Sequence, residues 1–361
     1  MKYDIMHFEA LGEEAEHLQE ETDRLVAEGK LKKDFSSVIT PLTLQEYLKQ
    51  ENLSGKDLPN IVTTKTHSVL PEEWVNSEPK KSVITRSAGY DHFEHLQNKL
   101  NIASLRVYCV KAVAQTAIKF LYAAAGYLNE YSKNTLLFER NKTHSFHELG
   151  PDMVATVFGV GNIGAETYRM LVQNGLTVQA VDVRAEELKG LDAYKDFHFV
   201  DKETAIKNSD VILNVMNLTK SKESRFYNVN YFDQETLSKA KKGIILINVT
   251  RGEIMPEHVV LEGMEKGQII GFGTDVFSYE ERITQALRNG ETKSDDPDID
   301  AALTLIHRAL NREANVYVQP HQGFNSDVAA VDKAKEAMAH VAFFFNEGKG
   351  TFREQLPYYE S

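Results

Sequence analysis

The chain has 361 residues, 42% of them hydrophobic and 26% charged, a length that suits two domains of ordinary size and a composition typical of a soluble globular protein. Its net charge of -12 argues against a duplex nucleic-acid partner, which requires Lys and Arg to neutralise phosphates, and no apolar run is long enough to span a bilayer. The single cysteine, Cys109, excludes an internal disulfide framework and a cysteine-based metal cluster, so a reducing cytoplasm is the expected compartment.

From the N-terminus, MKYDIMHFEALGEEAEHLQEE lacks a basic region and an apolar core and turns acidic at once, so no secretory signal is expected. Short β-rich runs follow at residues 3–10, 36–42, 60–66 and 81–88, each trailed by a polar stretch with helical spacing such as residues 13–29. That alternation predicts a small parallel α/β domain. Residues 110–131 have the apolar-to-amphipathic spacing of one long helix, which puts a domain junction near residues 105–110. A second series of strands is predicted at residues 153–158, 178–183, 210–215, 243–249, 269–277 and 316–320, with helical segments between most of them, as a doubly wound parallel sheet requires. The polar stretch 288–300 reads as an exposed loop, and residues 298–312 as an amphipathic helix. The last helix carries an apolar stripe at Ala330, Ala334, Ala337, Met338, Val341, Phe344 and Phe345, which is expected to pack back on the first domain. The predicted division is a discontinuous first domain, residues 1–108 and 326–361, and a second domain, residues 109–325.

The run ATVFGVGNIG places Gly159, Gly161 and Gly164 directly after a β-branched strand and at the head of a helix. In that setting the first glycine permits a tight turn, the second lets the backbone approach a pyrophosphate and the third lets helix and strand pack closely, with the helix N-terminus aimed at the negative charge. The next strand ends at Asp182, where a carboxylate can accept hydrogen bonds from ribose hydroxyls and repel a 2′-phosphate. NAD is therefore expected over NADP, with Arg184 two residues on able to soften the preference. A glycine turn alone also suits other nucleotide binders of similar fold, methyltransferases among them.

Four further segments stand in order: TRSAGYD (residues 85–91), INVTRG with Arg251, GTDVFSYEE with Asp275 and Glu280, and QPHQGF with His321. Together with the glycine turn, they make the chain resemble the D-isomer-specific 2-hydroxyacid dehydrogenase family, whose members share an N-x-x-R-G segment, an Asp-Val-aromatic run with Glu five residues after the Asp, and a Pro-His pair. Tyr108, and Phe324 three residues after His321, match aromatic pocket positions of the D-lactate and D-hydroxyisocaproate dehydrogenase branch. The chemistry also follows from the residues: a hydride leaving nicotinamide makes a carbonyl oxygen an incipient alkoxide that needs a proton, and His321 can donate it. A carboxylate on its other ring nitrogen fixes the tautomer and favours the charged form, and Glu280, rather than its neighbour Glu281, is the candidate. Arg251 can present a planar guanidinium to a substrate carboxylate and carbonyl oxygen, which lysine would do less well.

The resemblance implies two doubly wound parallel-sheet domains, a flavodoxin-like substrate domain and a Rossmann NAD-binding domain, with the active site between them. It implies catalytic Arg251, Glu280 and His321, and a substrate held by Ala88 and Gly89 backbone N–H groups with Tyr108, Arg251 and Phe324. The cofactor is expected along Gly159, Gly161, Asn162, Ile163 and Gly164, with Asp182 at the ribose. Val215, Asn217, Val249 and Thr250 would border it, with Asp275 and His321 at the nicotinamide end. The implied activity is reversible hydride transfer between NADH and a small 2-oxo acid, pyruvate/D-lactate first, in a cytoplasmic homodimer. Alternatives are a glyoxylate, phosphoglycerate or phosphite dehydrogenase, or an NADH-sensing binding protein of the corepressor kind. Of 12 histidines, none shows metal-ligand spacing such as HExxH, so no metal is expected. Three departures stand out: Val215 and Asn217 replace the family's His-x-Pro, Gln115 stands where Glu is common, and Glu281 where Pro often follows the catalytic Glu.

Overall fold

The computed structural model describes residues 3–138, 140 and 143–359. In chain order the first elements are β1 (Ile5–His7), α1 (Glu13–Ala27), β2 (Ser37–Ile39), α2 (Leu44–Gln50), β3 (Ile61–Thr64), α3 (Glu72–Val75), β4 (Ser82–Thr85) and β5 (Asn101–Ser104). They are followed by α4 (Val110–Ala125), α5 (Leu128–Asn134), β6 (Val154–Phe158), α6 (Asn162–Gln173), β7 (Thr177–Val181), α7 (Ala185–Lys189), α8 (Lys202–Asn208) and β8 (Val211–Asn214). The remainder comprises α9 (Gln234–Ser238), β9 (Ile244–Asn248), α10 (Glu257–Glu265), β10 (Ile269–Thr274), α11 (Glu280–Arg288), α12 (Pro297–Leu310), β11 (Val316–Val318) and α13 (Asp327–Asn346). The chain divides into two compact units, one formed by Met1–Cys109 with Asn325–Ser361, the other by Val110–Phe324.

The first unit is built on a parallel sheet of order β2-β1-β3-β4-β5, the flavodoxin-like winding. Strands β1, β3, β4 and β5 are buried throughout, because helices cover both faces of such a sheet. Neighbouring residues therefore feed two different cores. Ile5, Ile61, Ile84 and Ala103 pack with Leu18, Ala334, Ala337 and Met338 of α1 and α13. Met6, Val62, Val83 and Ile102 pack with Leu44, Leu48 and Trp74 on the other face. The terminal helix thus returns to the first unit along its apolar stripe, although Phe345 is 39% exposed and meets Phe35 edge-on. Strand β5 was not anticipated from the sequence: only Ile102 and Ala103 of its four residues are apolar, too short a run to show a period.

The second unit carries a six-stranded parallel sheet of order β11-β10-β9-β8-β6-β7. Strand order reverses between β6 and β8, and an isolated bridge, Ala180 to Phe199, continues the sheet beyond β7. This is Rossmann winding with its third strand reduced to a single bridge. Two expectations need correction. The single helix of residues 110–131 is two helices, because Gly126 ends α4 and Tyr127 takes a left-handed φ of 47° before α5 begins. The loop of residues 288–300 is shorter than expected at both ends. Arg288 closes α11, and Pro297 opens α12, with Asp296 capping it by accepting from Asp298 and Ile299 N–H.

Candidate active site

In a parallel α/β sheet, the strand ends that lead into helices leave backbone N–H groups and loop side chains together at one edge, so ligand sites gather there. In the second unit, β6 ends in the glycine turn. Gly159 has a φ of 85°, and a Cβ on Gly164 would sit 1.8 Å from the Gly159 carbonyl oxygen, so both positions exclude other residues. Gly161 caps α6, and a Cβ there would point into open space. That arrangement is a cradle of suitable form for a pyrophosphate at the N-terminus of a twelve-residue helix. Asn162 and Ile163 form its first turn. Asp182, at the end of β7, accepts from Val160 N–H at 3.0 Å, which locks the glycine turn to the neighbouring strand. Its other contacts are Arg184 N–H at 2.9 Å and an ion pair with the Arg184 guanidinium at 3.2 Å. These residues fit a dinucleotide with free ribose hydroxyls.

Beyond the switch point, Val215 and Asn217 follow β8, and Val249 and Thr250 follow β9. Asn214 Nδ2 donates to Asn248 Oδ1 at 3.0 Å and to Thr250 Oγ1 at 3.1 Å, while Asn248 Nδ2 donates to the Arg251 carbonyl at 3.0 Å. Two buried asparagines thus set the loop that presents Arg251, a role the sequence signals only as polar residues closing two apolar strands. Gly252 next in line is indispensable, since a Cβ there would lie 1.9 Å from the Ser278 nitrogen. The Arg251 loop is therefore pressed against the segment leading to Glu280. Glu257 reinforces this contact: its Oε1 accepts from Ser278 N–H at 2.6 Å, and burial pushes its carboxyl up to about 8.

The candidate proton donor, His321, is paired with Glu280. Its Nδ1 lies 2.9 Å from Glu280 Oε2; a carboxylate only accepts, so Nδ1–H donates and Nε2 is left to exchange a proton. His321 itself has a left-handed φ of 51°, uncommon for a residue with a Cβ. Asp275 holds it there. Its Oδ1 accepts from Gln319 Nε2 and Gln322 N–H, its Oδ2 from Gly323 N–H, all at 2.8 Å, and its backbone carbonyl accepts from His321 N–H at 2.7 Å. Burial raises the Asp275 carboxyl above its ordinary value even against these donors. Asp275, expected at the nicotinamide end of a cofactor, is in this structure the clamp of the turn that carries His321. A Cβ on Gly323 would meet Asp275 Oδ2 at 2.7 Å, which is why the turn continues with glycine. A cavity of about 710 Å³, walled by Phe120, Phe277, Ile283 and Val316, flanks the Glu280–His321 pair.

Arg251, Glu280 and His321 follow β9, β10 and β11, three adjacent strands of one sheet. Phe324 closes this unit. The other expected residues belong to the first unit. Ala88 and Gly89 form the turn after β4, where Ser87 Oγ donates to the Gly89 carbonyl at 2.6 Å and Leu105 N–H donates to the Ser87 carbonyl at 3.0 Å. Tyr108 follows β5. Its N–H donates to Glu336 Oε2 at 2.8 Å, and the Lys333 ammonium lies 5.2 Å from its ring centroid. Gln115 is exposed on α4, and among the described residues no group of His, Cys, Asp and Glu could hold a metal ion.

Residues 119–323 match the model of the D-isomer specific 2-hydroxyacid dehydrogenase NAD-binding domain. The chain is 24% identical over 305 residues to a D-lactate dehydrogenase of Staphylococcus epidermidis, covering 81% of this chain and 85% of that protein. It is 24% identical over 286 residues to an aromatic 2-oxoacid reductase of Clostridium sporogenes, covering 76% and 78%. Among solved structures, D-lactate dehydrogenase of Aquifex aeolicus in complex with NAD and lactic acid superposes with a TM-score of 0.74 at 21% identity, covering 99% of this chain and 100% of that one. D-2-hydroxyisocaproate dehydrogenase superposes at 0.73 and 20% identity, covering 95% and 97%. The glycine cradle, the ordered edge of three chemical residues and the matched domain lead to one conclusion: this chain belongs to the D-isomer specific 2-hydroxyacid dehydrogenase family and is an NAD-dependent oxidoreductase.

Proposed function

We propose that the protein catalyses reversible reduction of a small 2-oxo acid to the D-2-hydroxy acid, with Arg251, Glu280 and His321 as its chemical residues. The observation that carries this reading is the Glu280–His321 contact at 2.9 Å on a turn clamped by Asp275. Bound NADH supplies the hydride that forms the new C–H bond at C2. His321 Nε2–H donates a proton to the carbonyl oxygen as charge develops there, and Glu280 holds the ring in the tautomer that allows it. Arg251 binds the carboxylate at C1 and stabilises the developing alkoxide. The Ala88–Gly89 turn, Tyr108 and Phe324 complete the substrate contacts, and Val215, Asn217, Val249 and Thr250 border the cofactor. The D-lactate dehydrogenases among its relatives make pyruvate the first compound to assay. The test is NADH oxidation against a panel of 2-oxo acids: vigorous turnover on at least one is expected, and none across the panel would favour an NADH-sensing binding protein.

The Asp182 carboxylate is expected to set cofactor choice. Asp182→Ala should lower the ratio of kcat/KM for NADH over NADPH by at least about 10-fold, because it removes the charge that repels a 2′-phosphate and releases Arg184 to pair with it. Steady-state kinetics with both cofactors check this, and equal use of both by the wild type would contradict it. A cytoplasmic homodimer completes the proposal. It is supported by the buried lone thiol Cys109 and by three consecutive exposed apolar side chains, Leu136, Leu137 and Phe138 at 86%, 71% and 85% exposure.

A further inference from the structure

Glu257, the first residue of α10, takes no direct part in the proposed reaction, yet it is wedged between two of the segments that carry it. Its Oε1 accepts from Ser278 N–H at 2.6 Å, and a Cβ on Gly252 would come within 2.7 Å of the same oxygen. One carboxyl oxygen therefore packs on the residue after Arg251 and grips the residue two before Glu280. Between Ser278 and Glu280, Tyr279 takes a left-handed φ of 54°, uncommon for a residue with a Cβ, and Glu280 then opens α11. The Glu280 carboxylate closes this turn from the other side: its Oε1 accepts from Phe277 N–H at 3.3 Å, while its Oε2 takes the His321 Nδ1–H. Phe277 and Ser278 are thus consecutive N–H donors, one to the carboxylate that orients the imidazole and the next to Glu257. Displacing the Ser278 N–H displaces its neighbour, and with it the Glu280 carboxylate.

Packing alone does not call for an acid at this position. Glu257 is 2% exposed, and its Oε2 is buried with no hydrogen-bond partner among the described residues, a cost that an apolar side chain of similar size would avoid. Burial first, and the Asp298 carboxylate of α12 to a lesser degree, favour the neutral acid against the pull of the Ser278 N–H. Asp298 is itself engaged, accepting from His258 N–H at 3.1 Å and lying 2.7 Å from His258 Nδ1. What the position requires is therefore an uncharged group that fills the space beside Gly252 and accepts one N–H. Leucine would fill that space without accepting; glutamine would do both.

We propose that Glu257 is a positioning residue for the reaction, setting the Glu280 carboxylate against His321 through the Ser278 N–H. This rests on the functional reading above, in which Glu280 and His321 act as one unit. The test measures kcat and Kd for NADH in wild type, Glu257→Leu and Glu257→Gln, with the best substrate of the 2-oxo acid panel and well below the Tm of each protein. Glu257→Leu should lower kcat by at least about 10-fold, as expected when a reacting group is slightly displaced, with Kd for NADH within about twofold of wild type. Glu257→Gln should recover most of that loss, because its amide oxygen accepts from the Ser278 N–H. A Leu variant that only melts earlier and keeps the wild-type kcat, or a Gln variant no faster than Leu, overturns the proposal. Should Glu257→Leu fail to fold, Glu257→Ala takes its place with the same expectations. A second readout is independent of turnover: the nitrogen NMR shifts of the His321 ring, identified by their absence in His321→Ala, report which ring nitrogen carries the proton of the neutral imidazole. Wild type and Glu257→Gln should hold the Nδ1–H form, and Glu257→Leu should mix in the Nε2–H form. If no 2-oxo acid is reduced, the functional reading fails and this spectrum alone decides; a ring that stays Nδ1–H in Glu257→Leu overturns the positioning role.

Discussion

His321→Ala is expected to lower turnover by about 10²–10⁴-fold, the usual contribution of a positioned proton donor. NADH affinity should stay close to that of the wild type. The reason is local: the pyrophosphate cradle is made by the Gly159–Gly164 turn after β6, on the far side of β8, β9 and β10 from the strand that carries His321. Alanine leaves the Asp275 clamp in place, because that clamp grips backbone N–H groups and the Gln319 side chain rather than the imidazole. The loss should therefore fall on kcat, measured by steady-state NADH oxidation, with Kd for NADH taken from fluorescence titration. Unchanged turnover would remove His321 from the mechanism. Glu280→Gln should give a smaller loss, since an amide oxygen can still accept from Nδ1–H but carries no charge to offset an imidazolium.

The second large effect is expected at Arg251. Arg251→Met should lower kcat/KM by about 10³-fold or more, because one guanidinium is asked both to bind the substrate carboxylate and to stabilise the developing alkoxide. Arg251→Lys should recover only a minor part of this, as an ammonium is a point charge that cannot offer two parallel N–H groups to one planar acceptor. Kinetics on the best substrate of the 2-oxo acid panel check both variants, and full recovery by lysine would count against bidentate recognition. The asparagine pair beneath Arg251 fixes its backbone: Asn248 Nδ2 donates to the Arg251 carbonyl while its own Oδ1 accepts from Asn214. The guanidinium is thereby aimed from a backbone that is hydrogen-bonded on both sides. On the opposite flank, the close approach of Gly252 to Ser278 couples this loop to the segment that ends at Glu280.

The turn that carries His321 shows how local strain is maintained. A left-handed φ at a histidine costs about 1–2 kcal/mol, and the four hydrogen bonds of Asp275 and its carbonyl at this turn offset it. A dedicated carboxylate buried under a surface turn would otherwise be hard to explain, given that its own charge is disfavoured there. It also accounts for the order of the chain: Pro320 and Gly323 flank the histidine because one sets a rigid entry and the other leaves room for the carboxylate.

Some features were legible in the sequence because they depend on neighbours along the chain. The parallel winding follows from alternating apolar runs and amphipathic stretches, and the dinucleotide cradle from glycine spacing at a strand–helix junction. The Glu280 and His321 pair was legible only through the family resemblance, whose pattern of Glu five residues after an Asp selects Glu280 among the adjacent acids. What the sequence hid is partly local irregularity and mostly what depends on residues distant along the chain. The break at Tyr127 lies inside a continuous apolar pattern, and β5 has too few apolar residues to register. The clamping role of Asp275, the asparagines under Arg251 and the gathering of Lys65, Arg86 and Lys333 around Glu14 join residues up to 319 positions apart. Hydrogen-bond satisfaction and charge compensation act through space, so only the tertiary structure could assign those partners, whereas periodicity and turn chemistry act along the chain and were already written in its order.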